Sequence, residues 1–81
     1  MDAITTATQL GRNLVARRKA LHLSQQHLAR QLGISQNRLS ELENHPESLT
    51  LERLLVVLNL LNLELAVRER TGSPRARRLE W

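Results

Sequence analysis

Residues 25–44 read QQHLARQLGISQNRLSELEN. The apolar spacing describes two short helices joined by a tight turn, the second presenting a polar face. Leu28, Ala29, Leu32, Gly33, Ile34, Leu39 and Leu42 fall where a helix-turn-helix requires apolar, small and turn-forming residues. Ala29 is small enough for the second helix to pack close to the first. Gly33 can adopt the left-handed backbone conformation that ends a helix without steric cost. A unit of this kind lays its second helix in the DNA major groove. The competing interpretation of the same pattern is an ordinary helical hairpin in a small bundle.

One device marks three helix starts. Ser24 precedes Gln25, Ser35 precedes Gln36, and Thr50 precedes Leu51. Each hydroxyl can accept from the free amides of a first helical turn. Leu23 with Leu28, Ile34 with Leu39, and Leu49 with Leu54 stand before each cap and four residues inside, as in a hydrophobic staple. An earlier helix is expected from about Ala7 to Leu21, with Leu10, Leu14, Arg18 and Leu21 near one face. Arg18 on that apolar stripe needs a partner. Glu43, late in the third helix, is the best placed, and the pair would tie the first helix to the third. Pro46 stops the third helix and makes residues 45–48 a loop. A fourth helix follows from Leu51 to about Asn59 or Leu60, with Leu51, Leu54, Leu55 and Leu58 expected toward the core.

After Asn62 the period changes. Leu63, Leu65 and Val67 alternate with Glu64, Ala66 and Arg68, which is a strand pattern. A lone strand leaves its backbone groups unpaired, and the chain shows no second strand pattern. Pairing with the same strand of a second copy, in a two-fold dimer, resolves this. The alternative is a frayed continuation of the fourth helix, since Leu, Glu and Ala favour helix. The expected fold is mainly α. It is a Cro/repressor-like domain of four to five helices over residues 1–62, a dimerising strand over 63–69, and a flexible basic tail over 70–81. The tail, with TGSPRARR from Thr71, has the composition of a disordered segment. It ends in Leu79, Glu80 and Trp81, and Trp81 is the only aromatic residue of the chain. Tryptophan buries a large rigid surface at binding hot spots. The segment therefore reads as a partner anchor on a basic tether, or else as a residue folded back on the body.

Composition narrows the functional classes. Eighty-one residues make one domain at most, with a small core and almost no aromatic filler. Without cysteine, disulfides and thiolate metal sites are excluded. His22, His27 and His45 lack metal-ligand spacing, so no metal and no cofactor is expected. Oligomerisation is then the expected support for so small a scaffold. The start of the chain, MDAITTATQL, has an acidic second residue and no long apolar stretch, so no secretory signal is expected. The longest apolar run, Leu54–Leu58, is too short to span a bilayer, and a cytoplasmic protein without membrane contact is expected. Residues 1–67 carry seven Lys/Arg against six Asp/Glu, a net +1, and residues 68–81 carry five against two, a net +3. Arg17-Arg18-Lys19 forms a second basic cluster that can attract phosphate or merely be solvated. No paired carboxylates, nucleophile–base set or phosphate loop points to an enzyme.

On the DNA-binding interpretation, Ser35, Gln36, Asn37, Arg38, Ser40 and Glu41 face base edges. Gln36 and Asn37 carry amides suited to adenine, and Arg38 suits guanine O6 and N7 or a phosphate. Glu41 can accept from cytosine N4 or point to solvent. Gln25 and Gln26 open the second helix, whose free amides suit a phosphate. Two such units in a dimer would sit about 34 Å apart on an inverted-repeat operator.

The stretch LSQQHLARQLGISQNRLSELEN, Leu23 to Asn44, resembles the Cro/repressor-type (xenobiotic-response-element) helix-turn-helix family over residues 7–62. That resemblance implies a phosphate contact at Gln25, a groove-lining role for Gln36, Asn37 and Arg38, and an Arg18–Glu43 pair. A closer resemblance, to the HipB-type antitoxins, runs through TQL at Thr8–Leu10, TLERLL, LELAV and the terminal LEW. It implies a homodimer joined by a small intermolecular sheet, repression of its own operon, and a HipA-type serine/threonine kinase toxin as partner. It also implies docking of Trp81 into that toxin. Asn37, Arg38 and Glu41 depart from the HipB pattern, which leaves the operator sequence open. The short arginine-rich tail leaves the docking geometry open. A stand-alone phage-type repressor without a toxin is the alternative, and the LEW terminus separates the two, since such a repressor has no evident use for it.

Overall fold

The computed structural model describes residues 3–70. Within them lie four α-helices: α1 (Ala7–Ala20), α2 (Gln25–Leu32), α3 (Gln36–Asn44) and α4 (Leu51–Leu60), with a 3-10 turn at Pro46–Ser48 between the last two. Leu79, Glu80 and Trp81 lie outside the described residues, as does the expected disorder from Thr71.

Capping accounts for where the helices begin. The hydroxyls of Ser24, Ser35 and Thr50 accept from the backbone N–H of His27, Arg38 and Arg53 at 3.0, 3.0 and 3.1 Å. A fourth cap opens α1. Thr6 accepts from the Gln9 N–H at 3.1 Å, and the Gln9 side chain accepts in return from the Thr6 N–H at 3.2 Å, a reciprocal capping box.

The helix ends follow one rule as well. His22, Gly33 and Asn62 have φ of 59°, 72° and 57°. The N–H of the next residue in each case, Leu23, Ile34 or Leu63, reaches back to the carbonyl of Arg18, Ala29 or Leu58 at 3.0, 3.0 and 2.8 Å. This is the Schellman arrangement, with an apolar residue folding back after each stop. At Asn62 it removes the frayed-helix interpretation of the LELAV segment, because a left-handed residue cannot propagate the i to i+4 ladder. Residues 63–70 carry neither helix nor ladder in the single chain.

Leu14, Leu28, Ala29, Leu32, Leu39, Val57, Leu58 and Leu61 form the core, with Leu23, Ile34, Leu49 and Leu54 packed on it from the capping positions. Fully burying such a side chain stabilises the fold by roughly 1.5–3 kcal/mol. Helix α4 departs from expectation. Leu51 and Leu55 are 62% and 46% exposed, while Val57, Leu58 and Leu61 turn inward. The run LERLLVVLNLL offers two overlapping stripes of helical period, and α4 docks by the one centred on Val57, Leu58 and Leu61.

Helix α1 crosses α3 with no room for a side chain at Gly11. A β-carbon there would lie 2.6 Å from the Glu43 carbonyl oxygen and 3.1 Å from the Pro46 ring. Gly11→Ala should therefore destabilise the domain despite alanine's better helix propensity. A backbone carbonyl cannot rotate away, and overpacking costs about 1–3 kcal/mol. Thermal melting measures it, and a melting temperature at or above wild type would show that the α1–α3 approach is not tight.

Candidate nucleic-acid interface

Helix α3 divides into two faces. Leu39, Leu42 and Glu43 are buried, while Gln36, Asn37, Arg38 and Glu41 are exposed and Ser40 is half-buried at the edge. The exposed set is the one expected to meet base edges. Ser35 is exposed but spends its acceptor on the helix cap, leaving its hydroxyl hydrogen available to a phosphate. Arg38 and Glu41 pair with each other at 3.1 Å, with side chains 49% and 64% exposed. That exposure makes the pair weak and readily exchanged for contacts to bases or phosphates.

The start of α2 lies beside the start of α3. The Gln36 amide nitrogen stands 3.4 Å from Gln25 Oε1. Gln25 is half-buried and Gln26 exposed. The first-turn backbone amides of Gln25 and Gln26 precede the one that Ser24 caps, which leaves them pointing beyond the helix end, where an anion is favoured.

Behind the exposed face sits an ion pair. Arg18 Nε donates to Glu43 Oε2 at 2.7 Å, Nη2 approaches Oε1 at 3.4 Å, and Nη1 donates to the Leu23 carbonyl at 2.9 Å. Arg18 and Glu43 are 7% and 8% exposed. The Gln25 amide nitrogen donates to Glu43 Oε1 at 2.7 Å, a contact the residue pattern did not suggest. Among the described residues no buried side-chain nitrogen or oxygen lacks a partner.

Two further arginines are structural. Arg17 Nε donates to the Leu61 carbonyl at 2.9 Å, and Arg53 Nη1 donates to the Leu32 carbonyl at 3.1 Å. Each neutralises the negative end of a helix. The cluster Arg17-Arg18-Lys19 is thus not a phosphate patch as a whole: Arg17 and Arg18 face inward tasks, and Lys19 alone is exposed. No group of three or more His, Cys, Asp or Glu among the described residues is placed to share a metal ion. No described helix is long and apolar enough to cross a membrane.

A buried-faced helix-turn-helix with a polar outer helix defines a DNA-binding regulator. A helix-turn-helix family profile matches residues 14–67, more than half of the chain. The ImmF control region 10 kDa protein of Bacillus phage phi105 is 38% identical over 76 residues, covering 84% of each chain. The chain therefore belongs to the Cro/repressor-type helix-turn-helix family. Within that family it is HipB-like. It superposes on a HipB-O1-O2 complex with a TM-score of 0.75 at 29% identity, covering 84% of this chain and 99% of that one. It superposes on a HipA-HipB-O2-O3 complex with a TM-score of 0.74 at 29% identity, covering 84% of this chain and 96% of that one.

Proposed function

We propose that this chain is an antitoxin and autorepressor. As a homodimer it binds an inverted-repeat operator and also holds a HipA-type serine/threonine kinase toxin, the catalysis residing in the toxin. The observation that carries the DNA half is the exposed amide and guanidinium row Gln36, Asn37 and Arg38 on a helix whose other face is buried. Gln25, Gln26 and Ser35 hold phosphates, and Ser40 and Glu41 border the bases. With Arg17, Arg18 and Arg53 tied to the protein, few cations remain for phosphate, and the salt dependence of binding should be shallow.

The dimer forms through residues 63–69, with Leu63, Leu65 and Val67 on one face. Leu63 already packs on the core, whereas Leu65 and Val67 are 53% and 93% exposed in the single chain. A proline at Leu65 removes a ladder donor. Sedimentation should then show monomer at concentrations where wild type is dimeric. Persistence of the dimer would move the interface to the exposed leucines of α4.

The toxin half of the proposal rests on likeness to HipB in a HipA-HipB-O2-O3 complex and on the Leu79-Glu80-Trp81 terminus. Co-expression with a kinase encoded beside this gene tests it. Full-length protein should co-purify with the kinase, and a version ending at Arg78 should lose it while binding DNA normally. Equal loss of both activities would deny the tail a separate task. The phage phi105 relative favours a second interpretation, a stand-alone regulator. Failure of either version to retain a kinase would select it.

A further inference from the structure

We propose that a groove between α1 and the end of α3 holds Trp81 of the same chain while no toxin is bound, so that the domain body and the toxin compete for one anchor. Only the competition rests on the antitoxin reading; the docking does not. The groove encloses about 450 Å³. Arg12, Val15, Ala16 and Lys19 of α1 line one side, and Asn44 and Pro46 line the other. Gly11, pressed against the Glu43 carbonyl, forms a floor without a side chain. Pockets of roughly 300–1,000 Å³ take ligand-sized groups. The cavity among the core leucines is about 10 Å³, room for one water at most. Trp81, the only aromatic residue of the chain, carries the largest apolar surface of any side chain here. Of the two cavities, the groove alone can cover it.

Charge selects the occupant. Helix α1 contains no Asp or Glu, and among the described residues neither Arg12 nor Lys19 pairs with a carboxylate. Both are exposed on the groove's rim. The other rim is the C-terminal end of α3, which has no basic residue in its last turn. That end carries partial negative charge. The ends of α2 and α4 are met by Arg53 and Arg17, but α3 has no such partner among the described residues. A matching segment carries a carboxylate beside an aromatic ring, with cations just before them. Residues 77–81, RRLEW, have that order. In the docked state the Trp81 ring lies against Val15, Ala16 and Pro46. Glu80 faces Arg12 and Lys19, and Arg77 and Arg78 lie toward the end of α3. Residues 71–81 extend up to about 36 Å, and the shorter dimensions of the molecule are 24 and 18 Å. The segment is long enough to reach the groove from Arg70.

Trp81 is its own probe, since no other indole contributes fluorescence. The experiment quenches it with acrylamide in the full-length protein, free of DNA and toxin, and in a peptide of residues 71–81. Quenching should be weaker in the protein by about threefold or more, as for a segment docked most of the time. Arg12→Glu with Lys19→Glu reverses the rim and should raise quenching to the level of the peptide, with thermal melting as the control of folding. Ala16→Glu, at an exposed position of the groove wall, carries the test if the double variant melts low. Equal quenching of wild type and peptide overturns the docking, as does protection that survives in a folded variant. Protection lost on dilution gives the groove to a second copy's tail and overturns docking within one chain. A freed Trp81 should bind the kinase more tightly by about the same threefold. Unchanged kinase affinity in a variant that frees Trp81 overturns the competition. If no version retains a kinase, the antitoxin reading fails and the competition with it, while quenching still decides the docking.

Discussion

Glu43→Ala should unfold most of the protein at temperatures where the wild type is folded. The substitution leaves the Arg18 guanidinium buried with only the Leu23 carbonyl at 2.9 Å as a partner. Arginine stays charged at any accessible pH, so it cannot escape by losing a proton. Breaking a buried pair by removing one member costs about 3–5 kcal/mol. A small domain has roughly 5–15 kcal/mol of stability in total, so the loss takes a large share of it. The α1–α3 crossing would suffer first, because Glu43 joins α1, α3 and the start of α2 through Arg18 and Gln25. Urea denaturation checks this, with the midpoint expected to fall sharply. A shift below about 1 kcal/mol, the range of an exposed pair, would mean that water reaches Arg18 and the pair is not desolvated. The contrast with Arg18→Met plus Glu43→Leu separates the cost of an orphaned charge from the worth of the pair itself.

Gln36→Ala combined with Asn37→Ala should abolish specific operator binding while leaving the fold intact. Both side chains are exposed and neither belongs to the core. The cap of α3 comes from Ser35 accepting the Arg38 N–H, which the double substitution does not touch. Each well-placed amide contact to a base discriminates by roughly 1–3 kcal/mol. With two such side chains in each half-site of the proposed dimer, even the low end amounts to about 4 kcal/mol, on the order of a thousandfold. Binding to unrelated DNA should change little, since that term comes from phosphate contacts. Fluorescence anisotropy with the operator and with a scrambled duplex measures both. Unchanged operator affinity would remove α3 from the recognition surface.

Much of this fold was legible because its boundaries are written in local chemistry. A hydroxyl residue before each apolar period, an apolar residue before that, and Gly33 at the turn all act within four or five residues of one another. Such contacts do not depend on where the rest of the chain goes, so Ser24, Ser35 and Thr50 could be read as helix starts directly. The box at Thr6 and Gln9 was equally local and equally readable. The Schellman stops at His22 and Asn62 were harder, because neither residue type announces a left-handed conformation as glycine does.

The candidate interface divides along the same line. That Gln36, Asn37, Arg38 and Glu41 share the outer face of α3 follows from helical period once Leu39 and Leu42 are inward. What period cannot supply is which residues from elsewhere meet them. Gln25 is eleven positions from Gln36 and eighteen from Glu43, and their contacts exist only because α2 packs across α3. The same holds for Arg17 on the Leu61 carbonyl, forty-four positions away.

From its sequence alone this protein is a helix-turn-helix chain with its helices placed to within a residue or two, because caps, staples and hydrophobic period are properties of neighbouring residues. Only the tertiary structure decided which stripe of α4 is buried, which basic residues are spent on carbonyls, and that Gly11 lies under the Glu43 carbonyl. Each of these is a choice between alternatives that local chemistry leaves equal. Docking breaks the tie, since one packing fills the space between helices and leaves no buried side-chain polar atom unpaired among the described residues.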